Sequence, residues 1–190
     1  MLFPGQVLKD KNGVPVFGKD KNSSKKKTEK VKTDAEDSSK ISPAEGLFWL
    51  IPVLLGLGSN TRYKDFSSME LLSIACEKLK SVLESVVCSS VYITKARYVT
   101  NQDDFYNMAV KGYVSDLMSP YDLLNIIHEI EAEGGRNREK EIRFGPRSLD
   151  IDIEEFGDIV ISDEILQIPH PRIQERAFVL IPALEILDES

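Results

Sequence analysis

Two aspartates in the segment Ser148-Leu149-Asp150-Ile151-Asp152-Ile153 have the type and spacing best suited to chemistry. In an extended strand successive side chains alternate between faces, so both aspartates lie on one face and the aliphatic residues on the other. Carboxylates two residues apart on a strand are separated by roughly 6.5 to 7 Å. So placed, they can jointly hold a pair of Mg²⁺ ions about 3.5 to 4 Å apart. An exposed polar face on an edge strand is the alternative interpretation.

The loop that leads into this strand is basic, although the folded part of the chain is acidic. Five Lys and Arg residues fall within the twelve positions from Arg136 to Arg147, and glycines lie near both ends. Arginine binds phosphate oxygens through paired hydrogen bonds and keeps its charge. The segment therefore predicts a lid that closes over an anionic ligand. A solvated charged loop is the alternative.

Other candidate residues are separate in sequence. His170 lies between two prolines that fix its backbone, where it can contact phosphate or serve the structure. Arg176 and Phe178 share one side of a segment predicted to be extended, so one can meet phosphate while the other stacks on a flat ring or fills the core. Asn107 is a polar residue within an apolar strand, and its amide matches the edge of a heterocycle. His128 is predicted to lie at the surface of a helix.

Standard nucleotide-binding signatures are absent from the sequence. It contains no G-x-x-x-x-G-K-[ST] segment and no kinase H-R-D or D-F-G set. The stretch Gly56-Leu57-Gly58-Ser59-Asn60 is rich in glycine but lacks the Rossmann spacing. A standard P-loop or protein-kinase site is therefore not expected.

The elements that position these candidates begin near residue 47. Apolar patterns predict strands over Leu50–Leu57, Val86–Ile93, Phe105–Tyr113 and Leu149–Glu154, and shorter ones around Ile159 and Phe178. Helices are predicted after the capping residues Ser67 and Ser119, and the second ends at Gly134-Gly135. This order is that of a split βαβ, or ferredoxin-like, fold. The predicted class is α+β, with a mainly antiparallel sheet and helices on one face.

Residues 1–46 differ in composition from the rest of the chain. They contain ten Lys and seven Asp or Glu and few large apolar residues, which predicts a disordered arm or linker. Residues 47–190 are predicted to form one domain. Because acids are interspersed with the lysines, we expect no binding of nucleic acid or membrane by this arm.

Two further features bear on the environment of the protein. No apolar run reaches the roughly 18 to 20 residues needed to span a bilayer, so no membrane insertion is expected. Cys76 and Cys88 lack metal-ligand spacing and are predicted to be reduced, buried thiols in an intracellular compartment.

Several motifs together resemble the 6-hydroxymethyl-7,8-dihydropterin pyrophosphokinases of folate biosynthesis. They are Leu55–Asn60, Phe105–Asn107, Ile130-Glu131 with Gly135-Arg136, Gly145–Asp152, and Ile168–Arg172 with Glu175–Phe178. The resemblance runs from about Pro52 to Leu187, and the Gly-Pro-Arg-Ser-Leu-Asp-Ile-Asp block is highly specific. It implies a ferredoxin-like fold and transfer of the β,γ-pyrophosphoryl unit of MgATP to the pterin hydroxymethyl group, which leaves AMP.

The resemblance also implies roles for residues that match the family motifs. Asp150 and Asp152 are expected to hold two Mg²⁺ ions, and Arg136, Arg147 and Asp152 to be catalytic. The residues expected around ATP are His128, Glu131, Arg138, Arg147, Ile153, His170 and Arg176. Those expected around the pterin are Thr94, Phe105, Asn107 and Phe178.

The expected partners and location of the chain also follow from the resemblance alone.

 The fragment Arg97–Gln102 resembles eukaryotic members of the family, which are commonly fused to other folate enzymes. The expected partners are the two small-molecule substrates and such fused or associated enzymes, with no nucleic acid and no membrane. The expected location is the cytoplasm, or the mitochondrion for a eukaryotic fusion.

Two other functions fit parts of the pattern. A polymerase-palm or cyclase-like nucleotidyltransferase also carries strand aspartates on a ferredoxin-like sheet, but it releases pyrophosphate and leaves AMP on the acceptor. An RRM-like RNA-binding module has the same element order. The sequence lacks the aromatic RNP1 pattern that such a module carries on a strand.

Overall fold

The computed structural model describes residues 49–96, 101–138 and 145–187, together with the backbone of two short strands nearer the N-terminus. The elements in chain order are β1 (Val7–Lys9), β2 (Pro15–Val16), β3 (Trp49–Ser59), α1 (Ser68–Leu79), β4 (Glu84–Cys88), β5 (Tyr92–Thr94), β6 (Phe105–Ser115), α2 (Pro120–Glu133), β7 (Asp150–Phe156), β8 (Ile161–Ser162), β9 (Gln167–Ile168) and α3 (Ala177–Leu187), with a 3-10 turn at Ile173–Glu175 before α3. The prediction of an α+β class is confirmed.

Strand β3 is the centre of a seven-stranded sheet. It pairs with β6 along one edge and with β7 and β1 along the other, and β4 and β5 add to the far edge of β6. Every one of these pairings is antiparallel, as predicted, and β8 and β9 form a separate hairpin. The prediction of disorder concerns residues 1–46, most of which lie outside the described residues. Within this range the structure describes β1 and β2.

Both predicted helix starts are confirmed by their caps. The Ser67 backbone N–H donates to Glu70 at 2.8 Å, and the Glu70 N–H donates back to the Ser67 hydroxyl at 3.4 Å. Ser119 and Asp122 form the same reciprocal pair at the start of α2. These capping boxes satisfy amides that a helix start otherwise leaves unpaired.

Helix α2 ends where the sequence predicts, at its two glycines. Gly135 has φ of 92°, and a Cβ there would lie 2.2 Å from the ring of Tyr63. Only glycine meets both conditions without strain. The turn sends the chain directly into Arg136, so this glycine pair determines where the basic loop begins.

Helices α1 and α2 cover one face of the sheet. Their buried side chains Leu72, Leu79, Leu123 and Ile127 pack against Leu55 and other strand residues in the main core. Among the residues that the structure describes, no helix is long and apolar enough to cross a membrane. The core thus lies between the sheet and these two helices, which leave the opposite face of the sheet uncovered.

Helix α3 corrects two predictions. The segment around Phe178 is helical rather than a short strand, and α3 packs on the face opposite α1 and α2, so the helices do not share one face. Pro182 in the segment argues against a helix from sequence alone. The residues that α3 buries in a second cluster on Leu54 and Ala109 are Ala183 and Ile186, and Val179 is buried one helical turn before Ala183.

Two strand predictions need smaller corrections. The predicted strand Val86–Ile93 is divided into β4 and β5, because Ser89 leaves the ladder and its N–H and hydroxyl bond to Ala109 on β6. The short strand predicted around Ile159 begins two residues later, as β8. The predicted strands Leu50–Leu57, Phe105–Tyr113 and Leu149–Glu154 are confirmed, with bounds that differ by up to two residues.

A β-bulge interrupts the pairing of β7 with β3. Leu55 opposes Ile153, whereas Leu54 opposes Glu155, so Glu154 is the extra residue. The bulge shifts the alternation of side chains by one position. Phe156 therefore enters the main core, and Glu154 remains on the same face as the two aspartates.

The packing predicts a contrast between two leucines on helices. Leu72 is 1% exposed and Leu184 is 55% exposed. We expect Leu72→Ala to lower the free energy of unfolding by about 2 to 5 kcal/mol, because it leaves a cavity in the core. The matched change Leu184→Ala should cost less than about 0.5 kcal/mol. Urea unfolding measures both, and equal losses would contradict this assignment of the core.

Candidate active site

Two glycines form the floor of the candidate site. On β3, Gly58 lies between Asp150 on β7 and Asn107 on β6, and Gly56 lies between Asp152 and Ala109 in the same way. Directly opposed residues of neighbouring strands share a face. Since glycine has no side chain, the two aspartates and the amide of Asn107 face one another across open backbone.

A cavity lies above this floor, and its lining comes from the sheet, the basic loop and the start of α3. Eight of the predicted site residues line it, and these are Thr94, Phe105, Asn107, Arg147, Asp150, Asp152, Arg176 and Phe178. Sequence analysis did not single out Lys95, Gln102, Glu154 or Arg172, which also line it. The fold thus gathers residues from positions 56 to 179 around one space.

Asp150 is held by two arginines. Arg136 donates to its Oδ1 and Arg147 donates to its Oδ2. Loss of solvent raises the pKa of Asp150, but the positive charges of Arg147 and Arg136 outweigh this and keep the pKa below its usual value. Asp150 therefore stays ionised, and both of its oxygens are occupied by guanidinium groups.

Glu131, at the end of α2, anchors the start of the basic loop. Its buried carboxylate accepts hydrogen bonds from Arg136 and Arg138, and from the backbone N–H of Ile151 at 2.7 Å. Burial raises the pKa of Glu131, and the positive charge of Arg136 is the largest of the effects that oppose it. This carboxylate connects α2, the loop and β7 through hydrogen bonds, so it fixes the positions of Arg136 and Arg138.

Asn60 fixes the other end of the loop, and sequence analysis did not assign it this role. Its Oδ1 accepts the Arg147 N–H at 2.7 Å, and its own N–H donates to the Arg147 carbonyl at 2.9 Å. Its Nδ2 donates to Gln102 and to the Asp103 carbonyl. The Gly-Ser-Asn sequence at the end of β3 was the available signal, because asparagine there can pair with backbone groups of a neighbouring loop.

Asp152 has a different arginine. Arg176 Nη1 donates to Asp152 Oδ2 at 2.9 Å, and its guanidinium carbon lies 5.6 Å from the centre of the Phe178 ring. A cation above an aromatic face is attracted by it. Arg176 therefore links the acidic side of the cavity to its aromatic side.

The aromatic side also contains the predicted amide. Asn107 is 6% exposed, and its Nδ2 donates to the Thr94 hydroxyl at 2.9 Å and to the Phe105 carbonyl at 3.3 Å. A buried amide needs hydrogen-bond partners, and these two bonds satisfy its Nδ2 group. These bonds fix the orientation of the amide toward the cavity.

Glu154 is a third carboxyl group on the face of the aspartates. It is 0% exposed, and neither of its oxygens has a hydrogen-bond partner among the residues that the structure describes. Burial raises the pKa of Glu154 to about 8, and the nearby charge of Asp152 adds to the effect. The sequence signal was its position, two residues after Asp152 on the same strand.

A comparison with known sequences identifies the family of the chain that forms this site. A family model described as 7,8-dihydro-6-hydroxymethylpterin-pyrophosphokinase matches residues 54–188. The chain belongs to this family. The matched range contains both aspartates, the basic loop and the residues that form the cavity floor.

Three relatives show how this pyrophosphokinase domain occurs elsewhere. A 2-amino-4-hydroxy-6-hydroxymethyldihydropteridine pyrophosphokinase of Aquifex aeolicus is 40% identical over 134 residues, which cover 70% of this chain and 79% of that protein. Bifunctional protein FolKE of Lactococcus lactis is 38% identical over 136 residues, 72% of this chain and 37% of that protein. A folate synthesis bifunctional protein of Arabidopsis thaliana is 38% identical over 135 residues, 71% and 27%. The chain therefore spans about a third of the length of the bifunctional relatives.

Six residues predicted from the resemblance to pyrophosphokinases lie away from the cavity lining, and two of them, Arg136 and Arg138, bond to a third, Glu131. Ile153 is buried in the main core, and Glu131 lies behind the arginines. His128 is half-buried on α2, and burial lowers its pKa, as do the charges of Arg138 and Arg136. His170 lies beside Glu154, with 3.9 Å between Nδ1 and Oε2. Part of the predicted lid, residues 139–144, lies outside the described residues.

The carboxylates of the candidate site suit magnesium in type. Mg²⁺ prefers oxygen ligands and is commonly bound by one or two carboxylates together with substrate phosphates. Asp150 and Asp152 supply such oxygens next to the open cavity. No cluster of three or more His, Cys, Asp or Glu side chains arranged for a metal occurs in the described ranges. The donor set therefore fits an ion that also needs phosphate oxygens.

The raised pKa of Glu154 predicts how stability depends on pH. Because its pKa is about 8 when folded and near 4.5 for an ordinary glutamate, only the folded protein keeps this proton between these values. Its contribution to stability is complete below about pH 4.5 and is lost as the pH rises to about 8. We expect Glu154→Gln to gain stability relative to wild type across this interval, by on the order of 4 kcal/mol.

Urea unfolding at several pH values, in EDTA, measures this difference. Glu155→Gln is the matched control, because Glu155 is the next residue of β7 and is exposed. Its stability should follow the wild-type curve. If the Glu154→Gln and wild-type curves run parallel from pH 5 to pH 8, Glu154 does not hold a proton in the folded state.

Proposed function

We propose that this chain transfers pyrophosphate from ATP to 6-hydroxymethyl-7,8-dihydropterin, giving the pterin diphosphate and AMP. Its membership of the pyrophosphokinase family and the names of its single-function relatives support this activity. The observation that carries it is the cavity floor, where Asp150 and Asp152 face Asn107 across two glycines. One side of the cavity suits polyphosphate and the other suits a flat heterocycle.

The pterin would bind on the side of Asn107 and Phe178. The Asn107 amide offers its oxygen as an acceptor to the polar edge of the ring, and the bonds from its Nδ2 to Thr94 and to the Phe105 carbonyl hold that amide in place. The Phe178 ring offers an aromatic face, and Phe105 also lines the cavity. These contacts would leave the hydroxymethyl group directed toward the aspartates.

The polyphosphate of ATP would bind on the arginine side. Arg136, Arg147 and Arg176 already converge on the two aspartates, and Arg138 and His170 lie close by. Asp150 and Asp152 would hold magnesium, two ions in our proposal, and bound magnesium neutralises phosphate charge and aligns the reacting oxygens. The remaining predicted contacts to ATP, His128, Glu131 and Ile153, stay predictions.

Little covalent help from the protein is needed for such a transfer. The pterin hydroxyl oxygen loses its proton to solvent and forms a bond to the β-phosphorus of ATP. The bond from this phosphorus to the oxygen that bridges it to the α-phosphorus breaks, and AMP leaves with that oxygen. Arginines placed around the phosphates stabilise the negative charge that develops. Arg136 and Arg147, which are held in advance by Glu131 and Asn60, are the residues that we propose for this role.

We also propose that residues 47–190 form a ferredoxin-like domain. The order of β3, α1, β4, β6, α2 and β7 is that of a split βαβ, and the four strands lie in the order β7-β3-β6-β4. Residues 1–46 would be a linker or arm. Since relatives include fusions, we propose other folate enzymes as fused or associated partners, in the cytoplasm or in mitochondria.

One assay tests the proposed activity. The protein is incubated with Mg²⁺, ATP and 6-hydroxymethyl-7,8-dihydropterin, and the nucleotide products are followed. We expect AMP, formed only when the pterin is present. Release of pyrophosphate instead would favour a nucleotidyltransferase.

Asp152→Ala should reduce turnover by at least about 10³-fold with unchanged circular dichroism, and near-normal turnover in this variant would remove the role of the carboxylates.

Arg147 allows a test of transition-state stabilisation. Because its guanidinium is placed where phosphate charge develops, Arg147→Ala should lower kcat by about 10² to 10³-fold. The KM for ATP should change by less than about fivefold. Steady-state kinetics with Arg62→Ala as control, an exposed arginine outside the cavity, measure both values. A large change in KM alone would assign Arg147 to ground-state binding.

A further inference from the structure

Burying the carboxyl group of Glu154 costs free energy, and the fold itself does not require a carboxyl group at this position. Its carboxyl group is 0% exposed and has no hydrogen-bond partner among the described residues. Burying an unpaired polar group destabilises a protein, whereas an apolar side chain of similar length would fill the same space without this cost. The carboxyl group lines the cavity, so a role toward what binds there is the alternative to a purely structural one.

Two local features place this carboxyl group. Glu154 is the extra residue of the β7 bulge, which keeps its side chain on the face of the aspartates. It lies over Gly56 on the neighbouring strand, where a Cβ would be only 2.8 Å from Glu154 Oε1. The bulge and the glycine together make the space that the carboxyl group occupies.

Among the residues that the structure describes, His170 and Arg176 bring nitrogen atoms within 4 Å of Glu154, and of these two Arg176 can donate to it. His170 Nδ1 lies 3.9 Å from Oε2, but this nitrogen accepts the backbone N–H of Arg172 at 3.2 Å. Burial lowers the pKa of His170 and favours the neutral ring, whose Nδ1 then carries no proton to donate. Arg176 Nη1 lies 3.9 Å from Oε1, and a guanidinium always has N–H groups to donate.

Arg176 therefore lies between two carboxyl groups. Its Nη1 is 2.9 Å from Asp152 Oδ2 and 3.9 Å from Glu154 Oε1, so a movement of about 1 Å would make the second contact a hydrogen bond. A divalent cation on Asp152 would repel this guanidinium, because both carry positive charge at short range. Arg176 then needs another partner if it is to stay in the site.

We infer that Glu154 is a positioning residue that accepts Arg176 when a divalent cation and nucleotide engage Asp152. The exchange keeps the guanidinium beside the phosphates and over the ring of Phe178, which lies 5.6 Å from it. This inference rests on the proposed function, because it takes Asp152 as the carboxylate that shares a cation with the nucleotide. It assigns Glu154 no contact with either substrate.

The test compares two substitutions at position 154 with a control. Glu154→Met removes the acceptor and fills the space, and Glu154→Gln keeps an acceptor oxygen in a group that cannot ionise. Glu155→Gln makes the same substitution at the exposed neighbouring residue of β7. The dissociation constant of a non-hydrolysable ATP analogue is measured with Mg²⁺ and with EDTA, and thermal unfolding is recorded without nucleotide.

We expect Glu154→Met to weaken analogue binding in Mg²⁺ by about tenfold, as for the loss of one charge-assisted hydrogen bond. In EDTA its affinity should stay within about twofold of wild type, and its unfolding midpoint should rise by about 5 °C, because an unpaired buried group is gone. Glu154→Gln should show a smaller loss in Mg²⁺, and Glu155→Gln none. Affinity of Glu154→Met in Mg²⁺ within twofold of wild type would overturn the inference.

A second measurement separates positioning from a general disturbance of the site. In an Arg176→Gln background, Glu154→Met should change analogue affinity in Mg²⁺ by less than about twofold, because its partner is already absent. If the fold-losses in affinity of the two single variants multiply in the double variant, Glu154 does not act through Arg176. Analogue binding is measured without pterin, so it is independent of the assay for AMP formation. If the wild-type protein makes no AMP, the proposed function alone is refuted. If the affinity of Glu154→Met is unchanged, this inference alone is refuted.

Discussion

The site depends on ion pairs between arginines and carboxylates on the enclosed face of the sheet. Glu131, Asp150 and Asp152 carry like charges that would repel one another, and solvent screens the buried Glu131 least. Arg136 and Arg147 neutralise Asp150, and Arg176 neutralises Asp152. Because guanidinium groups bind carboxylates and phosphates in the same geometry, this network can exchange partners when a polyphosphate arrives. The free site is thus held together by groups that also suit its ligand.

The fold supplies each charge from a different element. The glycine turn after α2 directs Arg136 to Glu131, while Asn60 at the end of β3 holds the backbone of Arg147. Arg176 comes from the turn before α3, which packs on the face of the sheet left uncovered by the other helices. The side chains are fixed before a ligand binds, which lowers the entropy that binding must overcome.

Local patterns predicted much of this architecture. The alternation around Asp150 placed both aspartates on one face, and the capping residues Ser67 and Ser119 marked where two helices begin, because these signals act over a few residues. Helix α3 was not predicted, since Pro182 and β-branched residues argue against a helix and only packing on the sheet reveals it. The role of Glu154 also escaped prediction, because its burial depends on a bulge set by the register of two distant strands.

In the free protein, arginines occupy the carboxylates of Asp150 and Asp152 until a nucleotide supplies negatively charged phosphates in their place. Calorimetric titration of Mg²⁺ into the protein, alone and saturated with a non-hydrolysable ATP analogue, tests it most directly. The network predicts that Mg²⁺ binds the free protein at least about tenfold more weakly than the nucleotide complex, because guanidinium groups hold the carboxylate oxygens. Equal affinity in the two states would show that the ion pairs do not control access to Asp150 and Asp152.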